Sequence, residues 1–328
     1  PPRNQIQISN MGEKQMRREI EFNSKGVTCR GDLYLPDGDG PHPLVVMAGG
    51  WCYVKEIVMP HYAKFFEDKK IGTLLFDYRY LGASDGEPRQ HIDPWQQIED
   101  YRNALSFAAT LDSVDPVRTG IWGISYSGGH VLITAGIDPR VKFAISTIPV
   151  VFGFPTMRRC HGERRFTDMM KLVADDRERR YRGEPGGAMA FSALDPNSED
   201  SVWPFPTIHE VFNTIKQSEA PRHEHWNTIE SLELLINYDV EPYCRRIIDT
   251  PVLMTVAEGD NITSHDLEVE AFNSITNPNK TLEVIEGVNH MSLYSNRDHL
   301  AMVGSIQSAW LEGIVVGAAT AEERAAAE

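Results

Sequence analysis

Short runs of apolar residues alternate with segments of helical spacing along the first half of the chain. The runs lie at residues 43–48, 72–77, 119–124 and 141–148, and each is too short to be a typical helix. Strands that are apolar throughout are typical of parallel sheets whose two faces are both covered by helices. The pattern predicts an α/β fold with a mostly parallel central sheet flanked by helices, preceded by a hairpin at residues 17–35.

The strand pattern stops near residue 150 and resumes at residues 251–256 and 281–285. Between these points the spacing is helical, apart from a loop predicted at residues 184–206, which are rich in Gly, Pro and Ser. An insertion at the carboxyl ends of the strands would cover the place where open α/β sheets bind ligands. We therefore predict a first part of the sheet domain, a helical cap and a second part of the sheet domain, at residues 1–149, 150–249 and 250–328.

Charge and composition restrict the kinds of partner and cofactor. The chain has 32 Lys and Arg against 47 Asp and Glu, a net charge of −15, which argues against nucleic acid or an anionic membrane as a main partner. No segment approaches the ~20 apolar residues of a membrane span, and residues 1–21 lack the apolar run of a signal peptide. We expect a cytoplasmic protein with a small-molecule substrate, no metal and no cofactor, and we leave a homodimer open.

The segment GISYSGG at residues 123–129 follows an apolar run and precedes a predicted helix. This context is typical of a nucleophile elbow, a sharp turn that exposes a serine hydroxyl at the end of a strand. The sequence therefore predicts Ser125 as a nucleophile. The fifth position of the motif is Ser127 rather than the usual glycine, and a closely packed glycine-rich turn is the alternative interpretation.

A serine nucleophile needs a general base, and the base needs an orienting acid. In elbow-type folds the acid and then the histidine follow the serine along the chain. Asp260 and His290 each come just after a predicted strand, in this order. We predict that His290 is the base and that Asp260 orients it, with Glu258 left open as an alternative acid.

The developing negative charge on a substrate carbonyl requires two backbone N–H donors. We assign them to Tyr126, which follows the nucleophile, and to Trp51, which follows two glycines after the first apolar run. An ordinary turn is the alternative at these glycines. Neighbouring Cys52 has no elbow around it, so we interpret it as a spectator thiol.

The predicted cap is rich in aromatic and methionine side chains, including Trp203 and Phe212. Such a lid suits an apolar acyl or aromatic substrate. Phe152, Phe154 and Met157 come first after the sheet and are the predicted substrate-binding residues. A role in the core of the cap itself is the alternative for each of them.

Several segments together resemble the α/β-hydrolase family, in the branch near dienelactone hydrolases and Xaa-Pro dipeptidyl-peptidase-like acyl hydrolases. They are LYLPDGDGPHPLVVMAGG, FDYRYLGASDGEPR, DPVRTGIWGISYSGG, PVLMTVAEGD and GVNH. Within the cap, ADDRERRYRGEP and HWNTIESLELLINYDVEPY resemble hydrolases that include fungal polyketide acyltransferases. One departure is Gly49, where many relatives carry histidine.

This resemblance implies a serine hydrolase that cleaves an ester, thioester or related acyl bond of a small, largely apolar molecule through an acyl-enzyme. An acyltransferase with the same triad and a carbon–carbon bond hydrolase are the alternative activities. The alternative outside the enzymes is a binding module without catalytic activity. Occupation of all three predicted positions by competent side chains argues against it.

Overall fold

The computed structural model describes residues 17–38 and 40–327, with side chains described to residue 316. The first part of the chain contains β1 (Arg17–Ser24), β2 (Val27–Tyr34), β3 (His42–Ala48), α1 (Met59–Glu67), β4 (Gly72–Phe76), α2 (Pro94–Ala108), β5 (Val114–Ile124), α3 (Tyr126–Ile137) and β6 (Ala144–Thr147). The middle part contains α4 (Gly153–Tyr181), β7 (Ala188–Ser192), β8 (Ser201–Trp203), α5 (Pro206–Ser218), β9 (Trp226–Thr228), α6 (Ile229–Ile236) and α7 (Glu241–Cys244). The last part contains β10 (Val252–Ala257), α8 (His265–Ser274), β11 (Lys280–Ile285), α9 (Ser292–Ser295) and α10 (Arg297–Ala327).

Eight of these strands form one sheet in the order β1-β2-β4-β3-β5-β6-β10-β11. The strands from β4 to β11 in this order run parallel, whereas β2 is antiparallel to both β1 and β4. Every residue of β4, β6 and β10 is buried, because helices cover the sheet: α1 packs against α10, and α2 packs against α3. The predicted α/β fold with its mostly parallel sheet is confirmed. Among the described helices, none combines the length and apolar character needed to cross a membrane.

The chain between β6 and β10 contains four helices, α4 to α7, and a small sheet. The strand order there is β8-β7-β9, with β7 parallel to β8 and antiparallel to β9. The prediction of a loop over residues 184–206 was therefore wrong, since β7 and β8 lie within it. The five residues of β7, AMAFS, include two alanines and a serine, and β8 has only three residues, so neither strand is recognisable as an apolar run in the sequence.

A buried histidine connects the helix after the predicted elbow to two other parts of the fold. The Nδ1 atom of His130 lies 2.8 Å from the hydroxyl of Tyr238, and its Nε2 atom lies 2.9 Å from Oε1 of Gln97. An amide oxygen only accepts, so Nε2 carries the proton and Nδ1 accepts from the tyrosine. Burial lowers the pKa of His130 to about 3, so the side chain is neutral in the folded protein at neutral pH.

The depressed pKa of His130 predicts a loss of stability in acid. In the unfolded chain histidine titrates near pH 6.5, so between pH 6.5 and about 3 the unfolded state binds one proton more than the folded state. The free energy of unfolding should therefore fall with decreasing pH, by up to about 1.4 kcal/mol per pH unit from this group. Urea denaturation between pH 4 and pH 6 should show that the free energy of unfolding depends less steeply on pH in the His130→Gln variant than in the wild type. The same pH dependence in variant and wild type would contradict a buried, neutral His130.

Candidate active site

Ser125 occupies the single residue between the end of β5 and the start of α3. Its φ of 58° and ψ of −122° are strained for a residue other than glycine. Three backbone hydrogen bonds hold it there: its N–H donates to the carbonyl of Thr147 at 2.9 Å, and its carbonyl accepts from Gly128 at 2.9 Å and from Val150 at 3.0 Å. The chain thus turns abruptly at the carboxyl end of a strand, as an elbow requires.

The hydroxyl of Ser127 joins two buried tyrosines beneath this turn. It lies 2.7 Å from the Tyr78 hydroxyl and 2.8 Å from the Tyr101 hydroxyl, and Tyr101 donates to the carbonyl of Trp122 at 2.6 Å. Because that carbonyl only accepts, the chain of donors runs from Tyr78 through Ser127 and Tyr101 to Trp122. Serine at the fifth position of the motif therefore makes a hydrogen bond to each tyrosine, whereas glycine would leave this chain of hydrogen bonds interrupted.

His290 and Asp260 are in direct contact, and both are buried. The Nδ1 atom of His290 lies 2.7 Å from Oδ2 of Asp260, while Oδ1 of Asp260 accepts from the backbone N–H groups of Ile262 and Thr263, each at 2.9 Å. Burial raises the pKa of Asp260, but the histidine and the two N–H donors outweigh it and hold that pKa below its ordinary value. The acid is a carboxylate that stabilises a positive charge on the imidazole.

The alternative acid, Glu258, does not reach His290. Its Oε2 atom accepts from the backbone N–H of Gly287 at 3.1 Å, and the side chain is exposed. Of the two carboxylates that follow β10, the structure therefore brings Asp260 and not Glu258 to the histidine.

Ser125 and His290 line the same cavity, which contains about 20 Å³ of free space. The imidazole of His290 stacks on the ring of Tyr294, with centroids 5.8 Å apart and an angle of 17° between the planes. The cavity is mostly aromatic and apolar. Its other lining residues are Trp51, Tyr53, Phe191, Trp203, Ile208, Phe212, Ile262 and Met291.

The loop after β3 passes directly beside Ser125. A Cβ atom added at Gly50 would lie 3.0 Å from Cβ and 3.4 Å from Oγ of Ser125, so glycine permits the close approach. A Cβ atom at Gly49 would overlap the ring of Tyr53. Tyr53 thus fills the space beside Gly49, so a side chain at this position would displace the tyrosine ring.

The two predicted oxyanion donors are close to the nucleophile: Tyr126 follows Ser125 in the chain, and Trp51 lines the same cavity as Ser125. Within the part of the chain that the structure describes, neither the backbone N–H of Trp51 nor that of Tyr126 donates a hydrogen bond. Their rings are in edge-to-face contact with centroids 5.0 Å apart, and the indole N–H of Trp51 donates to Oδ1 of Asn227 at 3.0 Å. The neighbouring Cys52 thiol donates to the carbonyl of Trp226 at 3.3 Å. Burial raises the pKa of Cys52 well above its ordinary value, in agreement with a spectator thiol.

Phe152, Phe154 and Met157 do not line the cavity that contains Ser125. Phe152 forms a β-bridge to Asp239, Phe154 is 48% exposed and packs edge-to-face on Phe166, and Met157 is completely buried in the core. The reason is the start of α4, where the backbone is bonded to residues 235–240 and leads these side chains away. The chain between β6 and β10 instead supplies Phe191, Trp203, Ile208 and Phe212 to the cavity. Trp203 and Phe212 belong to the aromatic set noted in the sequence, whereas Phe191 lies on the strand that was predicted as loop.

Comparisons with known proteins agree with this architecture. Residues 9–173 match the family model described as Esterase FrsA-like. A thiohydrolase of Aspergillus aculeatus is 31% identical over 291 residues, 86% of this chain and 88% of that protein. A polyketide transferase of Aspergillus fumigatus is 30% identical over 279 residues, 84% of this chain and 91% of that protein. The crystal structure of the α/β-hydrolase GrgF from Penicillium superposes with a TM-score of 0.76 at 23% identity, covering 92% of this chain and 99% of that one.

These findings confirm the predicted resemblance to α/β-hydrolases and to fungal polyketide acyltransferases. The family match spans half of the chain, and the relatives align along most of their own length. The chain therefore belongs to the FrsA-like esterase family and is an α/β-hydrolase that acts on ester or acyl bonds.

Proposed function

We propose that the protein cleaves an ester, thioester or related acyl bond with Ser125 as nucleophile, His290 as general base and Asp260 as the orienting acid. The observation that carries the proposal is the shared cavity: Ser125 and His290 both line it, and the far side of the imidazole is bonded to Asp260.

The hydrogen bond to Asp260 determines which imidazole nitrogen can act as the base. A carboxylate only accepts, so Nδ1 of His290 carries the proton and Nε2 is left with a lone pair. In the proposed reaction, Nε2 takes the proton of Ser125 as its oxygen attacks the substrate carbonyl. The imidazolium then protonates the leaving group, the acyl-enzyme remains, and water repeats the two steps to release the acid and free Ser125.

The backbone N–H groups of Trp51 and Tyr126 are the proposed oxyanion donors. Two facts support this: neither group is engaged elsewhere in the described chain, and the loop that carries Trp51 approaches Ser125 as closely as Gly50 allows. Donors that are fixed before the reaction stabilise the developing charge without reorganisation.

The proposed substrate has a short and largely apolar acyl group. The free space in the cavity, about 20 Å³, is far below the range of about 300–1,000 Å³ for small-molecule sites, and its walls are mainly aromatic. We assign the cover of this cavity to the cap at residues 150–249, since Phe191, Trp203 and Phe212 belong to that segment.

Acyl transfer is the second candidate function, in which an alcohol or amine replaces water at the deacylation step. It is favoured by the relative named as a polyketide transferase, which aligns over 84% of this chain. The mainly aromatic walls of the cavity also support it, because exclusion of water slows hydrolysis of a reactive intermediate.

Removal of the proposed nucleophile should abolish turnover without affecting the fold. In the Ser125→Ala variant, kcat/KM for p-nitrophenyl butanoate should fall by about 10³-fold or more, because the three side chains act as a unit. Circular dichroism and the thermal unfolding midpoint should remain close to those of the wild type. A loss of less than tenfold would mean that another group is the nucleophile.

The two neighbouring acids provide a matched pair of variants. Asp260→Asn should lower kcat by about 10³- to 10⁴-fold, since an amide favours the wrong tautomer of His290. Glu258→Gln, which changes an exposed side chain, should stay within about threefold of the wild type. The reverse ranking in steady-state kinetics would assign the orienting role to Glu258.

A series of p-nitrophenyl esters tests the size of the acyl group. From butanoate to dodecanoate, kcat/KM should fall by at least about tenfold, because a long chain does not fit the cavity. Product analysis with and without added alcohol separates the two candidate functions: a transferred ester that replaces most of the free acid indicates an acyltransferase. A flat or rising profile would contradict the short-acyl assignment.

A further inference from the structure

A second buried acid lies behind the pair formed by His290 and Asp260. Glu268, in the first turn of α8, is completely buried, and its Oε1 atom accepts from the hydroxyl of Thr263 at 2.7 Å. The same hydroxyl oxygen lies 3.3 Å from Nδ1 of His290. One threonine therefore connects this acid to the proposed base.

The directions of these hydrogen bonds follow from the donors available. Thr263 has one hydroxyl hydrogen, and it is directed to Glu268, so its oxygen can only accept from His290. The Nδ1–H of His290 is then shared between Asp260 at 2.7 Å and Thr263 at 3.3 Å. Both acceptors require the proton on Nδ1, which is the tautomer that leaves Nε2 free to act on Ser125.

The surroundings of Glu268 favour its neutral form. Its second oxygen, Oε2, is buried and has no hydrogen-bond partner among the described residues, where no Lys, Arg or His pairs with this side chain. Burial raises the pKa of Glu268 well above its ordinary value, and the negative charges of Asp260 and Asp266 raise it further, while the bond from Thr263 lowers it. A proton on Oε2 leaves Oε1 as the carbonyl oxygen that accepts from Thr263.

We propose that Glu268 is a positioning residue, a neutral carboxylic acid that orients the Thr263 hydroxyl and thereby holds His290 in its reactive tautomer and ring orientation. The proposal rests on the role of His290 proposed above. A neutral acid supplies a directed acceptor without adding a second negative charge beside Asp260. Outer contacts that orient a metal-bound histidine are commonly worth 10- to 100-fold in metal affinity or activity, and we expect a loss of similar size here.

Three variants and one double variant test this role. Glu268→Gln keeps a neutral side chain with an acceptor oxygen, so kcat and the acid limb of its pH profile should match the wild type within about threefold. Glu268→Leu removes the acceptor, and Thr263→Val removes the connecting hydroxyl. Each should lower kcat by about 10- to 100-fold with little change in KM. The double variant that combines Glu268→Leu with Thr263→Val should have a kcat no lower than that of the less active single variant, because both substitutions interrupt the same chain of hydrogen bonds.

The measurements are kcat, KM and the pH dependence of kcat/KM between pH 5 and pH 9 for p-nitrophenyl butanoate. Glu268→Gln with the low kcat of Glu268→Leu, or with an acid limb moved to lower pH, would show that Glu268 acts as a charged group and would overturn the proposal. Additive losses in the double variant would also overturn it. Thr263→Val, a substitution of nearly equal volume, provides the test if Glu268→Leu does not fold.

Failure of this inference is distinguishable from failure of the proposed function. If Ser125→Ala keeps its activity, the proposed function itself is wrong. If Ser125→Ala is inactive while Thr263→Val and Glu268→Leu retain the wild-type kcat, the proposed function stands and the positioning role of Glu268 is wrong.

Discussion

The backbone of Ser125 is the constraint on which the rest of the site depends. A residue other than glycine at φ 58° and ψ −122° costs on the order of 1–3 kcal/mol, and it persists only where the surroundings impose it. Here two backbone hydrogen bonds impose this conformation. One joins Ser125 to Thr147 of the neighbouring strand β6, and the other joins it to Val150 in the chain that follows β6. The sheet therefore has to be complete up to β6 before the serine can be presented to the cavity.

The cap and the loop after β3 form one connected structure around this serine. Trp51 donates through its indole to Asn227, the Cys52 thiol donates to Trp226, and the carbonyl of Cys52 lies 3.0 Å from Nδ1 of His223. A segment that supplies the cavity walls is thus bonded to the loop that carries a proposed oxyanion donor. Displacement of the cap would disturb the geometry next to Ser125 as well as the access to it.

The sequence was sufficient to predict the sheet and to select Ser125 and His290 as candidates, whereas it left both Asp260 and Glu258 open as the acid. Apolar runs identify buried strands, and the carboxyl ends of parallel strands meet at one edge whatever the intervening loops do. Choosing between Asp260 and Glu258 needed coordinates, since two acids two residues apart follow the same strand. The direction of each side chain depends on the turn at residues 258–260, which no periodicity describes.

The residues that line the cavity and the buried position of Glu268 could not be predicted from the sequence in this way. Phe191 lies on a strand that exists only through pairing with chain segments distant in sequence, at β8 and β9. Phe154 is turned away because the backbone at the start of α4 is bonded to residues near 238. Glu268 is a charged residue on a short helix, and such an acid is normally exposed, so only its packing behind Asp260 distinguishes it. In each case the deciding contacts join residues far apart in the chain or on separate elements.

The central claim is that the hydroxyl of Ser125 is activated by His290. Mass spectrometry after treatment with a fluorophosphonate tests it directly, because only an activated serine is phosphonylated rapidly. The account predicts one adduct per chain, located on the peptide that contains Ser125, and slow or absent labelling of a His290→Ala variant. Labelling at a different residue, or equally fast labelling without His290, would contradict it.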